Sequence, residues 1–139
     1  MEEGDFLPAC NITKFSINTN CTYPIASAPY RTPFALRQEL KEIIQDFLDY
    51  DIIEQSSSPW NSPILLVKRH NGKFRLVVDY RRLNNATEQV NYPLPNLEDS
   101  VSLLEKSRIY SACDLMKGFY QIALEPESAA RTAFSCEYG

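Results

Sequence analysis

"ILLVKRHNGKFRLVVDY", residues 64–80, is two apolar runs around a turn. Asn71-Gly72 is a strong short-range signal for a β-hairpin, because both residues accept the positive φ that tight turns demand. A two-residue loop pairs Lys68 with Arg75, Leu66 with Val77 and Ile64 with Asp79. Phe74, Leu76, Val78 and Tyr80 then alternate onto the other face, as the buried face of a strand does. Like charges directly opposite on a sheet are destabilising. The Lys68/Arg75 pair leaves two readings open: side chains that splay into water, or cations bridged by a phosphate chain. Arg offers phosphate a planar fork and Lys a point charge. Arg69 and Lys73 add to the cationic tip, whereas Arg81 and Arg82 could equally form structural ion pairs.

Upstream, residues 34–50 form an amphipathic pattern. Leu36, Leu40, Ile43, Ile44, Phe47 and Leu48 share one helical face, with Glu39, Glu42, Asp46 and Asp49 between them. Residues 1–33 carry four prolines and no sustained period, which predicts an irregular linker. Downstream, residues 96–107 predict a short helix with Asn96 as its N-cap and Leu97, Val101 and Leu104 as its stripe. "RIYSACDL" (108–115) predicts a strand, "MKGFYQ" (116–121) a turn or tight helical piece, and "RTAFSCEYG" (131–139) another strand. The order helix, hairpin, helix, strand, strand predicts an α+β fold with a largely antiparallel sheet.

The net charge of −4 is unevenly spread. Residues 1–60 carry −5 and residues 85–139 carry −4, but residues 61–84 carry +5, with Asp79 their only acid. A local cationic footprint between acidic flanks suits an anionic ligand. Cys10, Cys21, Cys113 and Cys136 form no C-x-x-C pair, and the single histidine, His70, lies apart from them, so a zinc site is not expected. Asn11, Asn20 and Asn85 each open an N-x-T match, read as chance without a secretion signal. The acidic "MEEGDFLPAC" start lacks the apolar core of a signal peptide, and no run approaches the roughly 20 apolar residues that span a bilayer. A soluble intracellular protein is expected.

Asp114 stands inside the apolar run "YSACDLM". A carboxylate buried there must be paired, hydrogen-bonded or holding a metal. One reading is a structural Asp satisfied by backbone donors or an Arg. The other is a Mg²⁺ ligand for phosphoryl chemistry, where a few carboxylates share the ion with phosphate and water.

Three motifs in order are more specific: "SPWNSPILLVKRHNGKFRLVVDYRRLN" (58–84), "YPLPNLEDSVSLL" (92–104) and "YSACDLMKGFYQIALEPESAARTAF" (110–134). Together they resemble the reverse transcriptase of gypsy-type LTR retrotransposons and their retroviral relatives, over about four-fifths of the chain. The resemblance implies a fingers subdomain at residues 34–106 and the start of a palm at 107–139. It makes Asp114 the first catalytic aspartate and a Mg²⁺ ligand. Phe119 becomes the aromatic gate that favours deoxynucleotides. Arg75, with Lys68 or Arg69, becomes the grip on the incoming dNTP, and Asn61, Leu65 and Val77 fall near the template strand. The implied partners are dNTP and an RNA/DNA template-primer. The implied location is the cytoplasm, or a virus-like particle if the element is intact.

Departures from the family pattern set further expectations. Relatives continue to a Y-x-D-D segment, then thumb and RNase H, and none of these occurs in residues 1–139. Lys117 replaces a residue that is often small or acidic in relatives. These 139 residues are therefore expected not to polymerise by themselves. Palm strands without their sheet neighbours are expected to self-associate. The alternative function is a repurposed or decayed retroelement fragment serving as a non-catalytic binding module.

Overall fold

The computed structural model describes residues 9–90, 93, 96–104 and 107–138. Strand β1 (Cys10–Phe15) comes first, and a 3-10 turn (Phe34–Leu36) leads into α1 (Arg37–Asp49). The hairpin is β2 (Ile64–Lys68) and β3 (Phe74–Val78), followed by α2 (Arg81–Ala86) and α3 (Leu97–Leu104). A second 3-10 segment (Gly118–Gln121) enters β4 (Ile122–Leu124), and α4 (Pro126–Arg131) follows. The fold is α+β, as expected. β2 and β3 form an antiparallel sheet, while β1 and β4 form a separate parallel pair.

The hairpin register differs by one residue from the two-residue-loop expectation. Ile64 pairs with Val78, Leu65 with Val77, Leu66 with Leu76, Val67 with Arg75 and Lys68 with Phe74. The reason is the loop. The Gly72 amide donates to the Arg69 carbonyl at 3.0 Å, and the Arg69 amide donates to the Lys73 carbonyl at 2.8 Å. Gly72 takes φ +83°, the left-handed position after the turn, which makes a three-residue loop. Asn71 Oδ1 accepts the Lys73 amide at 3.1 Å. A slip of one residue turns β2 over relative to β3. Ile64, Leu66, Phe74, Leu76 and Val78 now share the inner face. Leu65, Val67, Arg75 and Val77 share the outer one. Lys68 opposes Phe74, so the expected Lys68/Arg75 and Ile64/Asp79 pairs do not form.

Helix α1 follows its periodicity: Leu40 is buried, Ile43, Ile44, Phe47 and Leu48 are half-buried, and Glu42, Asp46 and Asp49 are exposed. Its C-terminus closes in a Schellman arrangement. The Ile52 amide donates to the Phe47 carbonyl at 2.8 Å and the Asp51 amide to Leu48 at 3.1 Å. Asp51 occupies the left-handed position at φ 54°. In α3, Asn96 Oδ1 accepts the Glu98 amide at 3.2 Å, so the expected cap is present. That helix is expected to run to residue 107; it is described to Leu104, residue 107 is not helical, and residues 105–106 lie outside the described residues, as do residues 1–8 of the expected linker.

Three expectations change. Residues 108–115 are not a strand: a strand exists by bonding to a neighbour, and no described segment runs beside them. Their side chains are exposed, including Ile109, Tyr110 and Leu115. The expected strand at 131–139 is not one over its described residues, 131–138, either. Arg131 ends α4, and Phe134 makes a single bridge to Ser62 through the Ser62 amide and the Ala133 carbonyl at 2.9 Å. Finally, the segment before residue 34 is not irregular throughout. β1 pairs with β4, and residues 18–27 bond to the chain after α2 and to Asn61.

A non-glycine residue in the left-handed region costs about 1–2 kcal/mol. Asp51→Gly is expected to raise unfolding stability by about 0.5–1 kcal/mol, net of glycine's larger loss of backbone entropy. Urea unfolding measures it, and an unchanged or lower midpoint counts against the reading of this cap.

Candidate nucleic-acid interface

The outer face of the hairpin is built by register. Leu65 and Val77 sit directly across from each other, and Val67 and Arg75 form the next pair toward the tip. Pro63 and Asp79 continue the line at the base, joined by the Asp79 amide and the Pro63 carbonyl at 2.8 Å. At the tip, an open hollow is lined by Val67, Lys68, Arg69, His70, Asn71 and Arg75. Arg69 closes onto Lys73 at the end of the outer-face row, whereas Lys68 belongs to the inner-face row with Phe74. By register Leu65, Val77, Arg75 and Arg69 share one face and Lys68 starts from the other, while Lys68, Arg69 and Arg75 all line the hollow at the tip.

The basic segment is less free than its charge suggests. Arg81 makes a two-pronged contact with Asp79, Nε to Oδ1 at 2.8 Å and Nη2 to Oδ2 at 2.6 Å. That guanidinium, above all, holds the Asp79 carboxyl far below the usual range, and the Arg81 amide and Tyr30 hydroxyl add to it. Arg82 donates to the Ala26 carbonyl at 2.9 Å and to Ser27 Oγ at 2.8 Å. These two cations are structural, and Arg69 and Arg75 carry the exposed positive charge of the outer face.

Asn61 lies at the hairpin base with its Nδ2 donating to the Ser27 carbonyl at 2.7 Å. Its Oδ1 is buried and receives no donor, so that one bond orients the side chain. Phe119 is 98% exposed on the 3-10 segment Gly118–Gln121. Lys117, just before it, holds φ 50°, and the Tyr120 amide donates back to the Lys117 carbonyl at 2.9 Å. A Cβ on Gly118 would stand 3.0 Å from Leu115 Cβ, so a side chain there would have to push Leu115 aside by a few tenths of an ångström.

Sequence reasoning assigned no role to Tyr120, yet it joins the parts. Its ring meets the Phe47 ring edge-on, with centroids 5.7 Å apart. Burial raises the pKa of its hydroxyl, against the opposing fields of Arg69 and Arg75. The residue beside Phe119 is thus within electrostatic reach of the hairpin cations. The signal available in the sequence was an aromatic pair directly after a glycine.

Asp114 is exposed, in contrast to the expected buried run. Among the described residues, no three Asp, Glu, His or Cys side chains gather where they could hold a metal ion. Asp114 alone does not make a Mg²⁺ site, since that ion takes six ligands.

A sequence profile for "Reverse transcriptase (RNA-dependent DNA polymerase)" matches residues 66–138, more than half of the chain. The chain belongs to the reverse transcriptase family. It is 36% identical, over 99% of its length, to the retrovirus-related Pol polyprotein from transposon 297 of Drosophila melanogaster. It is 37% identical, over 74% of its length, to the enzymatic polyprotein of cauliflower mosaic virus, strain Strasbourg. It spans 14% and 16% of those two relatives. Its fold matches prototype foamy virus protease-reverse transcriptase with a TM-score of 0.77 at 22% identity, covering 93% of this chain and 17% of that one. The foamy viral protease-reverse transcriptase in complex with RNA/DNA hybrid matches at 0.71, 22% identity, covering 93% of this chain and 17% of that one. This reverse transcriptase segment thus has the family fold. Among its described residues, no helix is long and apolar enough to cross a membrane.

Tyr80, under the hairpin, donates its hydroxyl to the Thr132 carbonyl at 2.9 Å. Burial first, and the neighbouring Tyr120, push its pKa up to about 12. The unfolded phenol ionises near pH 10. As pH climbs, the unfolded chain loses this proton first, so the contribution is intact below pH 10 and is lost between about 10 and 12. Tyr80→Phe is expected to cost about 1 kcal/mol at neutral pH and to flatten the alkaline fall in stability. Urea midpoints from pH 8 to 12 check both, and an equally steep fall in the variant rules out Tyr80 as its source.

Proposed function

We propose that these residues are the fingers (34–106) and first palm segment (107–139) of an RNA-directed DNA polymerase, within the Pol polyprotein of a gypsy-type LTR retrotransposon. The observation that carries the reading is the hairpin's outer face: an apolar Leu65–Val77 pair leading to Arg75 and Arg69. An apolar patch that ends in exposed cations fits a nucleotide lying with its base and sugar along the strands and its phosphates at the tip. The register favours Arg69 over Lys68 as Arg75's companion, because Lys68 lies on the inner face. Phe119, on the segment tied to this region through Tyr120, is the gate against the sugar. Asn61, Leu65 and Val77 bear on the template. The foamy viral protease-reverse transcriptase has been solved with double-stranded DNA and with an RNA/DNA hybrid, which supports a template-primer as the partner of the longer enzyme. In that longer protein Asp114 is one of the carboxylates that hold Mg²⁺, joined by ligands from the Y-x-D-D segment that the family carries.

The chain by itself is expected to bind dNTP–Mg²⁺ and not to extend a primer. Removing a charge-assisted hydrogen bond costs about 1.5–3 kcal/mol. Arg75→Ala should therefore weaken dNTP–Mg²⁺ binding by roughly 10- to 100-fold in a calorimetric titration. Lys68→Ala should weaken it less than Arg69→Ala. Equal binding by the parent and Arg75→Ala would remove the phosphate grip, and extension of a labelled primer by residues 1–139 would overturn the inactivity.

Self-association belongs to the same reading. Leu97, Val101, Ile109, Tyr110 and Leu115 are all exposed, an apolar surface that invites a partner. Size-exclusion chromatography is expected to show a concentration-dependent shift to dimer or larger, and a monomer at all concentrations would refute it.

A further inference from the structure

Residues 10–30 touch both halves of the candidate interface, and they do so at three separate anchors. At the first, β1 pairs with β4, the strand that directly follows the Phe119 segment. The Glu125 amide donates to the Phe15 carbonyl at 3.0 Å, and the Ile17 amide donates to Ser128 Oγ at 2.8 Å. Ser128 is only 2% exposed, so this is a buried bond. Arg131 adds its Nη1 to the Ile17 carbonyl. The second anchor lies after α2. The Asn20 amide donates to the Ala86 carbonyl and the Glu88 amide to Asn18, each at 2.8 Å.

The third anchor holds the hairpin base. The Asn61 amide donates to the Ile25 carbonyl at 3.0 Å, and the Ser27 amide returns to the Asn61 carbonyl at 2.8 Å. The Asn61 side chain bonds Ser27, Arg82 bonds Ala26 and Ser27, and the Tyr30 hydroxyl donates to Asp79 Oδ2 at 3.0 Å. A merely surface-running linker does not spend its backbone donors and acceptors in this way.

We propose that residues 10–30 are a positioning strap that sets the separation between the outer face of the hairpin and the Phe119 segment. Its first anchor fixes the strand that begins where the Phe119 segment ends. Its third fixes Asn61 and Asp79 at the foot of the hairpin. The middle anchor prevents the segment between them from bowing outward. The strap is read from its own bonds, while its effect on ligand binding rests on the function proposed above. No strap residue touches nucleotide or template in that reading, so Ile17, Ser27 and Tyr30 are positioning residues.

The test is long-range coupling, measured by hydrogen exchange on the full chain. Arg131→Ala cuts one bond of the first anchor. The strap predicts at least fivefold faster exchange at the Ser27 and Asn61 amides, which belong to the third anchor. It also predicts at least threefold weaker binding of a fluorescent RNA/DNA duplex, with Arg131→Lys recovering part of both. Exchange that rises only at residues 10–17 and 128–131 overturns the proposal. If Arg131→Ala fails to fold, Tyr30→Phe decides from the other end, being an exposed change that removes only a hydroxyl. Faster exchange at the Glu125 amide then supports the strap, and a parental rate there overturns it. If the parent binds no duplex, the proposed function fails, while the exchange measurements still judge the strap.

Discussion

The left-handed Gly72 in the turn after Arg69 fixes the parity of the whole hairpin. With the Gly72 amide on the Arg69 carbonyl and the Arg69 amide on Lys73, the strands pair in a single register. That register sends Leu66, Phe74, Leu76 and Val78 inward and leaves Leu65, Val67, Val77 and Arg75 outward. Had the loop been one residue shorter, Lys68 and Arg75 would have met on one face and repelled each other. The turn instead sets Phe74 directly across from Lys68, and the outer face becomes an apolar strip with positive charge at one end.

Charge counting alone overstates what this surface offers. Of the six basic residues between 61 and 84, Arg81 and Arg82 are exposed but already engaged, one with Asp79 and one with the carbonyl of Ala26 and the hydroxyl of Ser27. An arginine is suited to such work because its planar fork reaches several acceptors at once. The exposed field is therefore concentrated at the hairpin tip, where Arg69 and Arg75 also act on the Tyr120 hydroxyl.

What was legible in the sequence depended on how local its cause was. α1 follows from side chains three and four residues apart, and the Asn96 cap from an oxygen two residues from its donor. Asn71-Gly72 announced a hairpin, but the same dipeptide serves loops of two or three residues, so the register was not readable. The strand predicted at 108–115 failed because strand propensity needs a neighbouring strand, and none of the described segments supplies one. β1 was missed for the opposite reason: its partner, β4, lies far along the chain, where no local pattern points to it. Of the residues that the family resemblance named, Leu65, Val77, Arg75 and Arg69 share the outer face by register, whereas Lys68, Asn61, Phe119 and Asp114 lie off it, and Tyr120 emerged only from the packing against Phe47.

The parallel pairing of β1 with β4 also has a temporal side. The bond from the Ile17 amide to Ser128 joins residues 111 positions apart. Ribosomal synthesis proceeds at about 5–20 residues per second, so the N-terminal strand waits on the order of ten seconds for its partner to be made. During that interval β1 has an open edge, and contacts this distant carry a large loop-closure cost that slows folding. The hairpin and α1, whose contacts are near in sequence, have everything they need much earlier. Within these residues β1 is therefore made early and completed late, after the hairpin and α1 have closed their own contacts.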